Sequence, residues 1–401
     1  MPGHTVGISP FVEPLIATLG ISRVHWSNIF FTATLLSTLM LPLFGGLFDR
    51  IGSRRAATYC GISLGLTLLF LGNMNSIITY SCQFVSPVIA TTGTLFVGFF
   101  LLKLLGQNLV PLVSRMMVLH WYDNKSCRMV GLSGILVSVI FGPTPRLTQM
   151  LITQFGYSHA WKIWGAAVLC LFAPIIWATC RDTPQSIGME LDAKPQQNIP
   201  DHRTAPKDKT RRQALASVDF WIFTLATAIS IVTTTGIHIH IVDIFRETHS
   251  CSSDTMGIFI PMAIVSATGS FLFGAIFDRI SIYYCLLAIF AANALTMESL
   301  EYVSLWWGLY LFIFFSGINL ALYGIIFSVP WPKLFGRKHL GQIMSAVAFI
   351  VLIFGAIAPS IFAYARAFGS YLFATRSLLA LSGLGFLISL CIHGKKLYRR
   401  E

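Results

Sequence analysis

Two polar residues inside an apolar segment are the strongest candidates for a binding site in this sequence. Lys103 and Gln107 lie four residues apart within the apolar stretch 89–113, so on a helix they would share one face. Inserting an ammonium group at membrane depth costs roughly 2.5–3.5 kcal/mol. No acidic residue falls at comparable depth in a predicted span, which leaves an anionic substrate as a candidate counter-charge. The alternative is a lysine that reaches an interface or makes a structural contact.

His240 is a second candidate binding residue, and histidine can carry a proton because its charge changes near physiological pH. It follows Thr233 and Gly236 on one face of the apolar stretch 217–241. Asp243, about one helical turn further on, is the predicted partner of its other ring nitrogen. His238 lies about 200° around the same helix and cannot share that face. The alternative is an ordinary polar helix end near the outer surface.

Asn319 and Tyr323 form a third candidate pair, one helical turn apart in the apolar stretch 304–330. Their side chains could donate and accept hydrogen bonds to a substrate. Gly317 and Gly324 lie close by and equally indicate close helix packing. Both interpretations stay open for this pair.

A seven-residue motif occurs twice, and each copy ends an apolar segment. Gly45–Ile51 reads GGLFDRI and Gly274–Ile280 reads GAIFDRI, with five identical residues. An aspartate at a helix end can pair with an arginine or cap another helix, and glycines allow close helix approach. We predict a conformational latch rather than a substrate site, formed by Gly45, Asp49, Arg50, Gly52, Arg54, Arg55, Asp278 and Arg279.

The composition restricts the class of protein that holds these residues. The chain has 401 residues, of which 55% are hydrophobic and 11% charged, against roughly 25% charged in soluble domains. This excludes a soluble enzyme and a disordered chain, and it indicates a helical membrane protein. The net charge of +12 fits basic cytoplasmic loops better than nucleic-acid binding, because basic and aromatic residues do not alternate on a polar surface. The eight cysteines show no zinc-ligand spacing, so we expect no metal and no cofactor.

Hydrophobic runs predict the spans and their orientation. A spanning helix needs about 20 apolar residues, and eleven runs approach this length: 28–48, 56–73, 89–113, 129–153, 161–179, 217–241, 255–277, 284–300, 304–330, 342–365 and 372–392. Residues 1–26 provide only half of a further helix. With the loop at 49–55 in the cytoplasm, 21 of the 28 basic residues fall on that side, which also places the C-terminus there.

A polar segment divides the chain. Residues 181–213 contain four prolines and a basic end. We predict an N-terminal bundle at 1–180, a cytoplasmic linker at 181–215, a C-terminal bundle at 216–393 and a basic tail at 394–401. Two repeated halves of this kind are typical of transporters.

These motifs resemble those of the major facilitator superfamily. Its signature Gly-x-Leu-x-Asp-Arg-x-Gly-x-Arg-Arg reads GGLFDRIGSRR over residues 45–55. The sequence is further similar to the bacterial oxalate/formate and monocarboxylate porter-like group in Lys103-x-x-Gly106-Gln107, in Arg181-Asp182-x-Pro184 and at 335–341. The resemblance covers about residues 3–371. It implies an all-α membrane fold of two six-helix pseudo-repeat bundles, with a truncated first helix and a native start upstream.

The resemblance and Lys103 together predict a secondary active transporter that works by alternating access. We expect a small organic anion such as a monocarboxylate as substrate, with a coupling proton or an exchanged solute. The carboxylate carriers share an arginine in their eighth helix, whereas 255–277 has no ionisable residue. Efflux of drug-like metabolites through an aromatic-rich cavity therefore remains an alternative, as does a non-transporting remnant lacking part of the first helix.

The remaining expectations concern the energy source of transport, the binding partners and the cellular location. The sequence contains neither a GxxxxGK[ST] nor an HExxH motif, so we expect no direct ATP drive and no enzyme. A small-molecule substrate and the lipid bilayer are the expected partners, without nucleic acid. We expect a monomer in the bacterial inner membrane with a cytoplasmic C-terminus.

Overall fold

The computed structural model is helical throughout the part of the chain that it describes, apart from short turns. The described residues are 3, 5–123, 125–141, 144–189, 208–247 and 258–398. Long apolar runs form helices in a membrane because a helix satisfies its backbone hydrogen bonds internally. The expected all-α membrane fold is therefore confirmed.

The described α-helices are numbered in chain order. The first eleven are α1 Thr5–Ile8, α2 Val12–Leu19, α3 Arg23–Leu39, α4 Leu41–Ile51, α5 Ser53–Gly72, α6 Met74–Ser81, α7 Pro87–Leu102, α8 Val110–Trp121, α9 Ser126–Phe141, α10 Thr144–Ala167 and α11 Ala173–Thr179. The next eight are α12 Arg211–Leu215, α13 Val218–Glu247, α14 Phe259–Phe277, α15 Ile282–Glu301, α16 Trp306–Ser328, α17 Pro330–Phe335, α18 Leu340–Ala367 and α19 Leu372–Tyr398. Lys103–Leu109 and Val168–Phe172 are π-helical, and Ser9–Phe11 and Pro184–Ile187 are 3₁₀-helical.

Two of the predicted spans are not single straight helices. Among the described residues, nine helices are long and apolar enough to cross a membrane, or ten if α3 and α4, bent by 46°, form one span. The bend precedes Pro42, whose missing N–H breaks helical continuity. The predicted span 129–153 is divided between α9 and α10, and the backbone turns again at Gly156 (φ 79°, ψ 160°). Prolines and glycines thus reduce the number of uninterrupted spans below the eleven apolar runs.

The described residues group into two compact units. The first contains those of Met1–Trp121, Val139–Glu190 and Met344–Phe349, and the second those of Tyr122–Ser138, Leu191–Ile343 and Ile350–Glu401. In the first unit α5 packs against α8, α10 and α11. In the second, α16 packs against α13, α14 and α15, and α15 also packs against α19. The middle of the predicted linker, residues 190–207, lies outside the described residues.

The segment predicted as half a helix is helical from Thr5 to Leu19, through α1, a 3₁₀ turn and α2. Phe11 is fully buried and stacks on Trp161 of α10, with ring centroids 3.7 Å apart. Gly20 then ends α2 with φ 62°, a value that favours glycine. The stacked rings therefore anchor this segment to the first unit.

Candidate functional site

Lys103 is a buried cation inside a membrane-spanning helix. Its side chain is 1% exposed, within the span Pro87–Trp121. The Nζ atom donates to Oε1 of Gln107 at 2.5 Å and lies 4.3 Å from the centroid of the Phe30 ring. Both residues lie on the π-helical segment Lys103–Leu109, a feature frequent at functional sites. The structure thus brings the predicted Lys103–Gln107 pair into direct contact.

The contact between Lys103 and Gln107 defines the direction of the amide. Because Oε1 of Gln107 accepts from the lysine, the N–H₂ group of this half-buried side chain remains a donor. One ammonium and one amide donor side by side match the acceptor oxygens of a carboxylate. Asn108 donates to Oγ of Ser37 at 3.2 Å and ties the π-helical segment to α3. The pair is therefore held on a supported backbone.

Close packing explains why the residue at position 106, between the two polar residues, is a glycine. A Cβ atom built on Gly106 would lie 2.6 Å from Cα of Gly3, closer than side chains approach backbone. The backbone beside Lys103 thus touches the start of the first unit. A larger residue at position 106 would displace one of the two segments, so the glycine is required for packing.

His240 lies in the second unit, with a polar group at each ring nitrogen. Nε2 is 3.0 Å from the carbonyl oxygen of Pro359 in α18, and Nδ1 is 3.4 Å from the hydroxyl of Tyr371. The side chain of the predicted partner, Asp243, lies outside the described residues. His238 contacts Phe259 of α14 instead, with ring centroids 5.1 Å apart. The two histidines therefore contact different neighbours.

Asn319 forms hydrogen bonds to protein groups at both ends of its amide. It is completely buried and accepts from the hydroxyl of Ser230 in α13. Its Nδ2 donates to Oδ1 of Asn293 in α15 at 2.8 Å, and Asn293 donates to the carbonyl of Ile289. The three side chains connect α13, α15 and α16 through buried hydrogen bonds. This geometry favours the packing interpretation of Asn319, and we do not include it in the substrate site.

Tyr323 is half-buried on α16, and Gly324, which follows it in the chain, lines a small cavity of the second unit. The cavity has a volume of about 210 Å³ and lies between α9, α14 and α16. Its lining is uncharged and mostly small, with Gly134, Gly324 and the hydroxyls of Ser266 and Ser270 among its residues. Tyr323 itself packs on Phe327, with ring centroids 5.7 Å apart.

The two copies of the repeated motif have nearly the same burial pattern. Gly45 and Gly274 are buried, as are Phe48 and Phe277. The aspartates Asp49 and Asp278 are half-buried, and the arginines Arg50 and Arg279 that follow them are exposed. The burial of the repeat therefore matches at these four positions in two different units.

Asp278, in the second copy of the motif, accepts hydrogen bonds from the start of another helix. Its Oδ1 accepts from the backbone N–H of Cys127 at 2.9 Å, and its Oδ2 accepts from that of Arg128 at 3.1 Å. Both N–H groups belong to the first turn of α9, where the helix dipole favours an anion. Burial raises the pKa of the Asp278 carboxyl, and the two backbone N–H groups and Lys333 oppose that rise. Asp278 therefore caps α9.

Just after the first copy of the motif, Arg54 and Gly52 contact residues in and after α11. The Arg54 guanidinium donates to the carbonyl oxygen of Trp177 at 2.6 and 3.0 Å and lies 4.2 Å from its ring centroid. The backbone N–H of Arg54 donates to Oδ1 of Asp182 at 2.7 Å. Asp182 thus caps the N-terminus of α5 directly over Gly52, whose φ of 83° favours glycine. Arg55 is exposed.

A second aspartate makes an equivalent contact that the sequence analysis missed. Oδ1 of Asp208 accepts from the backbone N–H groups of Arg337 and Lys338 at 3.1 and 3.3 Å. These follow Gly336, which has φ 80°. Asp182 and Asp208 thus lie at opposite ends of the predicted linker, and each stabilises a glycine turn in its own unit. The glycine in the motif at 335–341 was the available signal, but it did not identify the aspartate.

One sequence pattern typical of serine hydrolases has no matching structure. Gly61-Ile62-Ser63-Leu64-Gly65 follows the GxSxG spacing, which in those enzymes places the serine on a sharp strand-to-helix turn. Here all five residues lie inside the continuous helix α5. The pattern therefore does not form a nucleophile elbow.

Comparison with known proteins gives a family and a fold. Residues 5–359 match the family model described as Major Facilitator Superfamily. Comparison with curated proteins found no match. Among solved structures, the E. coli fucose:proton symporter FucP is similar with a TM-score of 0.65 and 13% identity, covering 96% of this chain and 94% of that one.

Two further solved structures share the fold at similar levels. The proton:xylose symporter XylE has a TM-score of 0.61 and 14% identity, covering 96% of this chain and 90% of that one. The human organic anion transporter MFSD10 (TETRAN) has a TM-score of 0.59 and 15% identity, with coverage of 94% and 88%. Identities this low establish the fold alone.

Proposed function

Because the chain belongs to the major facilitator superfamily, we propose that it is a secondary transporter that works by alternating access and carries a small organic anion. Transporters of this architecture bind their substrates near the middle of the membrane. The contact between Lys103 and Gln107 is the observation that carries the proposal. We assign substrate binding to these two residues.

The chemical argument starts from the cost of a buried charge. An ammonium group that is 1% exposed in an apolar span is stabilised by a ligand of opposite charge, whereas a neutral ligand leaves its charge in place. The Phe30 ring, 4.3 Å from Nζ, offers a cation–π contact to the ammonium group. The amide of Gln107 adds a donor without adding a second charge. One cation and one amide favour a monocarboxylate over a dicarboxylate.

Substitution of Lys103 tests the proposal in reconstituted proteoliposomes. We expect Lys103→Gln to abolish saturable uptake of the carried carboxylate while the protein stays folded. Lys103→Arg should keep part of the activity, because it retains the charge but changes the shape of the donor. Lys162→Gln is the matched control, since Lys162 is a half-buried lysine on α10 of the same unit and should transport normally.

Initial uptake rates over a panel of monocarboxylates, dicarboxylates, sugars and amines provide the measurement. Full activity of Lys103→Gln would refute the anion site. It would instead favour efflux of neutral or cationic metabolites, the alternative drawn from the aromatic-rich composition. A wild-type protein that carries only sugars or amines would also contradict the proposal.

A further inference from the structure

The His240 ring is held between three elements of the second unit. It projects from α13, its Nε2 faces the carbonyl of Pro359 in α18, and its Nδ1 faces the hydroxyl of Tyr371 just before α19. Phe362 of α18 stacks nearly parallel to the imidazole, with an interplanar angle of 8° and centroids 6.4 Å apart. The orientation of the ring is therefore determined by contacts on both edges and by an aromatic neighbour.

These partners decide the position of the ring hydrogens. A carbonyl oxygen only accepts, so Nε2 carries a hydrogen and donates to Pro359. In the neutral ring Nδ1 then has a lone pair and accepts from the Tyr371 hydroxyl. When a proton binds to Nδ1, this nitrogen becomes a donor, and the Tyr371 oxygen can accept from it after its hydroxyl hydrogen rotates away. The site therefore has a hydrogen-bond partner for Nδ1 in both protonation states.

The described neighbours of the His240 ring include a buried apolar cluster. This cluster contains Phe362 and Tyr371 together with Met297 and Leu300 of α15 and Phe312 and Ile313 of α16. From α18, the exposed Arg366 guanidinium lies 5.8 Å from the Tyr371 ring centroid. Glu301 at the end of α15 pairs with Arg376 of α19 at 3.0 Å. On α13 itself, His238 turns towards Phe259.

We propose that His240 and Tyr371 form the proton-binding site through which this carrier couples substrate movement to a proton gradient. The inference rests on the proposed transport function and adds the coupling ion and its residue. One proton enters from water, binds the Nδ1 lone pair, and leaves from the same atom, so the tyrosine keeps its own hydrogen in both states. Binding thus changes the charge of the ring by one and reverses the direction of one hydrogen bond.

The close packing of α13 against α18 next to His240 allows protonation of the ring to affect α18. A Cβ atom built on Gly236, four residues before His240, would lie 2.2 Å from the Phe362 ring, so α13 and α18 are in close contact there. Pro359 lies inside α18, and a proline leaves the carbonyl four residues earlier without its helical partner. Added charge on His240 therefore acts at an interrupted helix.

Transport assays with an imposed pH gradient test the coupling role. In proteoliposomes, we expect the wild type to accumulate its carboxylate when the gradient is applied. His240→Gln should lose this accumulation but retain exchange of labelled for unlabelled substrate, which needs no net proton movement. Tyr371→Phe keeps the aromatic packing and removes only the hydroxyl, so it should shift the pH profile of uptake. His238→Gln is the matched control and should accumulate substrate as the wild type does.

A substrate-independent measurement separates this inference from the proposed function. Hydrogen–deuterium exchange at histidine C2, read by mass spectrometry over a pH series, reports the protonation of each histidine. We expect a sigmoidal transition at His240 that Tyr371→Phe displaces and His238→Gln leaves unchanged. Gradient-driven accumulation by His240→Gln, or a His240 transition that Tyr371→Phe leaves in place, would overturn the proton site. A transition at His240 in a protein that carries no anion would instead refute only the anion proposal.

Discussion

Replacing Gly52 with alanine tests whether Asp182 stabilises the start of α5. Gly52 has φ 83° and ψ 156°, a region that costs residues with a side chain about 1–3 kcal/mol. A Cβ atom there would lie 2.7 Å from Oδ1 of Asp182. The carboxylate must move, and the 2.7 Å hydrogen bond from the Arg54 N–H is then lost or lengthened. A hydrogen bond to a charged group contributes about 1.5–3 kcal/mol.

Gly156 provides the matched control for this substitution. Its φ of 79° and ψ of 160° nearly equal those of Gly52, but nothing lies within 4 Å of an added Cβ atom. Gly156→Ala therefore measures the backbone term alone. We expect Gly52→Ala to lower the free energy of unfolding by about 1.5–3 kcal/mol more than Gly156→Ala, which is at least a tenfold difference in the unfolding constant.

The measurement is unfolding of the purified full chain in mixed micelles, followed by tryptophan fluorescence and circular dichroism. Asp182→Asn should destabilise the wild type but add little to Gly52→Ala, because the same hydrogen bond is already disrupted. Equal destabilisation by Gly52→Ala and Gly156→Ala would refute the cap. Full additivity with Asp182→Asn would also contradict it.

Three further outcomes follow from the described contacts. Asp278→Asn leaves one N–H of α9 facing an amide N–H₂ group, at a cost of about 1.5–3 kcal/mol. We expect this variant to slow substrate exchange more than it raises the substrate concentration for half-maximal rate. Normal turnover would contradict the predicted latch. Asn319→Ala should lower the unfolding midpoint, because it leaves Asn293 without its buried partner, and it should leave substrate affinity unchanged. A selective loss of affinity would instead show that Asn319 binds the substrate. A thiol probe added to oriented vesicles should label Ser186→Cys, in the exposed start of the linker, only from the cytoplasmic side; labelling from outside would invert the topology.

The local pattern of the sequence was sufficient to find the elements and several candidate residues. Apolar runs predicted the helices because a membrane permits few other backbone arrangements. The spacing of Lys103 and Gln107 predicted that they share a helix face, since residues four apart lie one turn from each other. The repeated motif is also visible in the sequence, and its two aspartates, Asp49 and Asp278, are both half-buried. Each of these predictions depends on residues close together in the chain.

Contacts between distant residues were decided only by the tertiary structure. The hydroxyl of Tyr371 lies 131 residues from His240, whereas sequence reasoning could propose only Asp243, one turn away. Asp182 reaches Arg54 across 128 residues, and its contact depends on where α11 ends. Asn319 could bind a substrate or its neighbours on pattern alone, because a buried amide needs partners in either case. Spacing along one helix determines which side chains share a face, but the packing of other helices determines what that face meets.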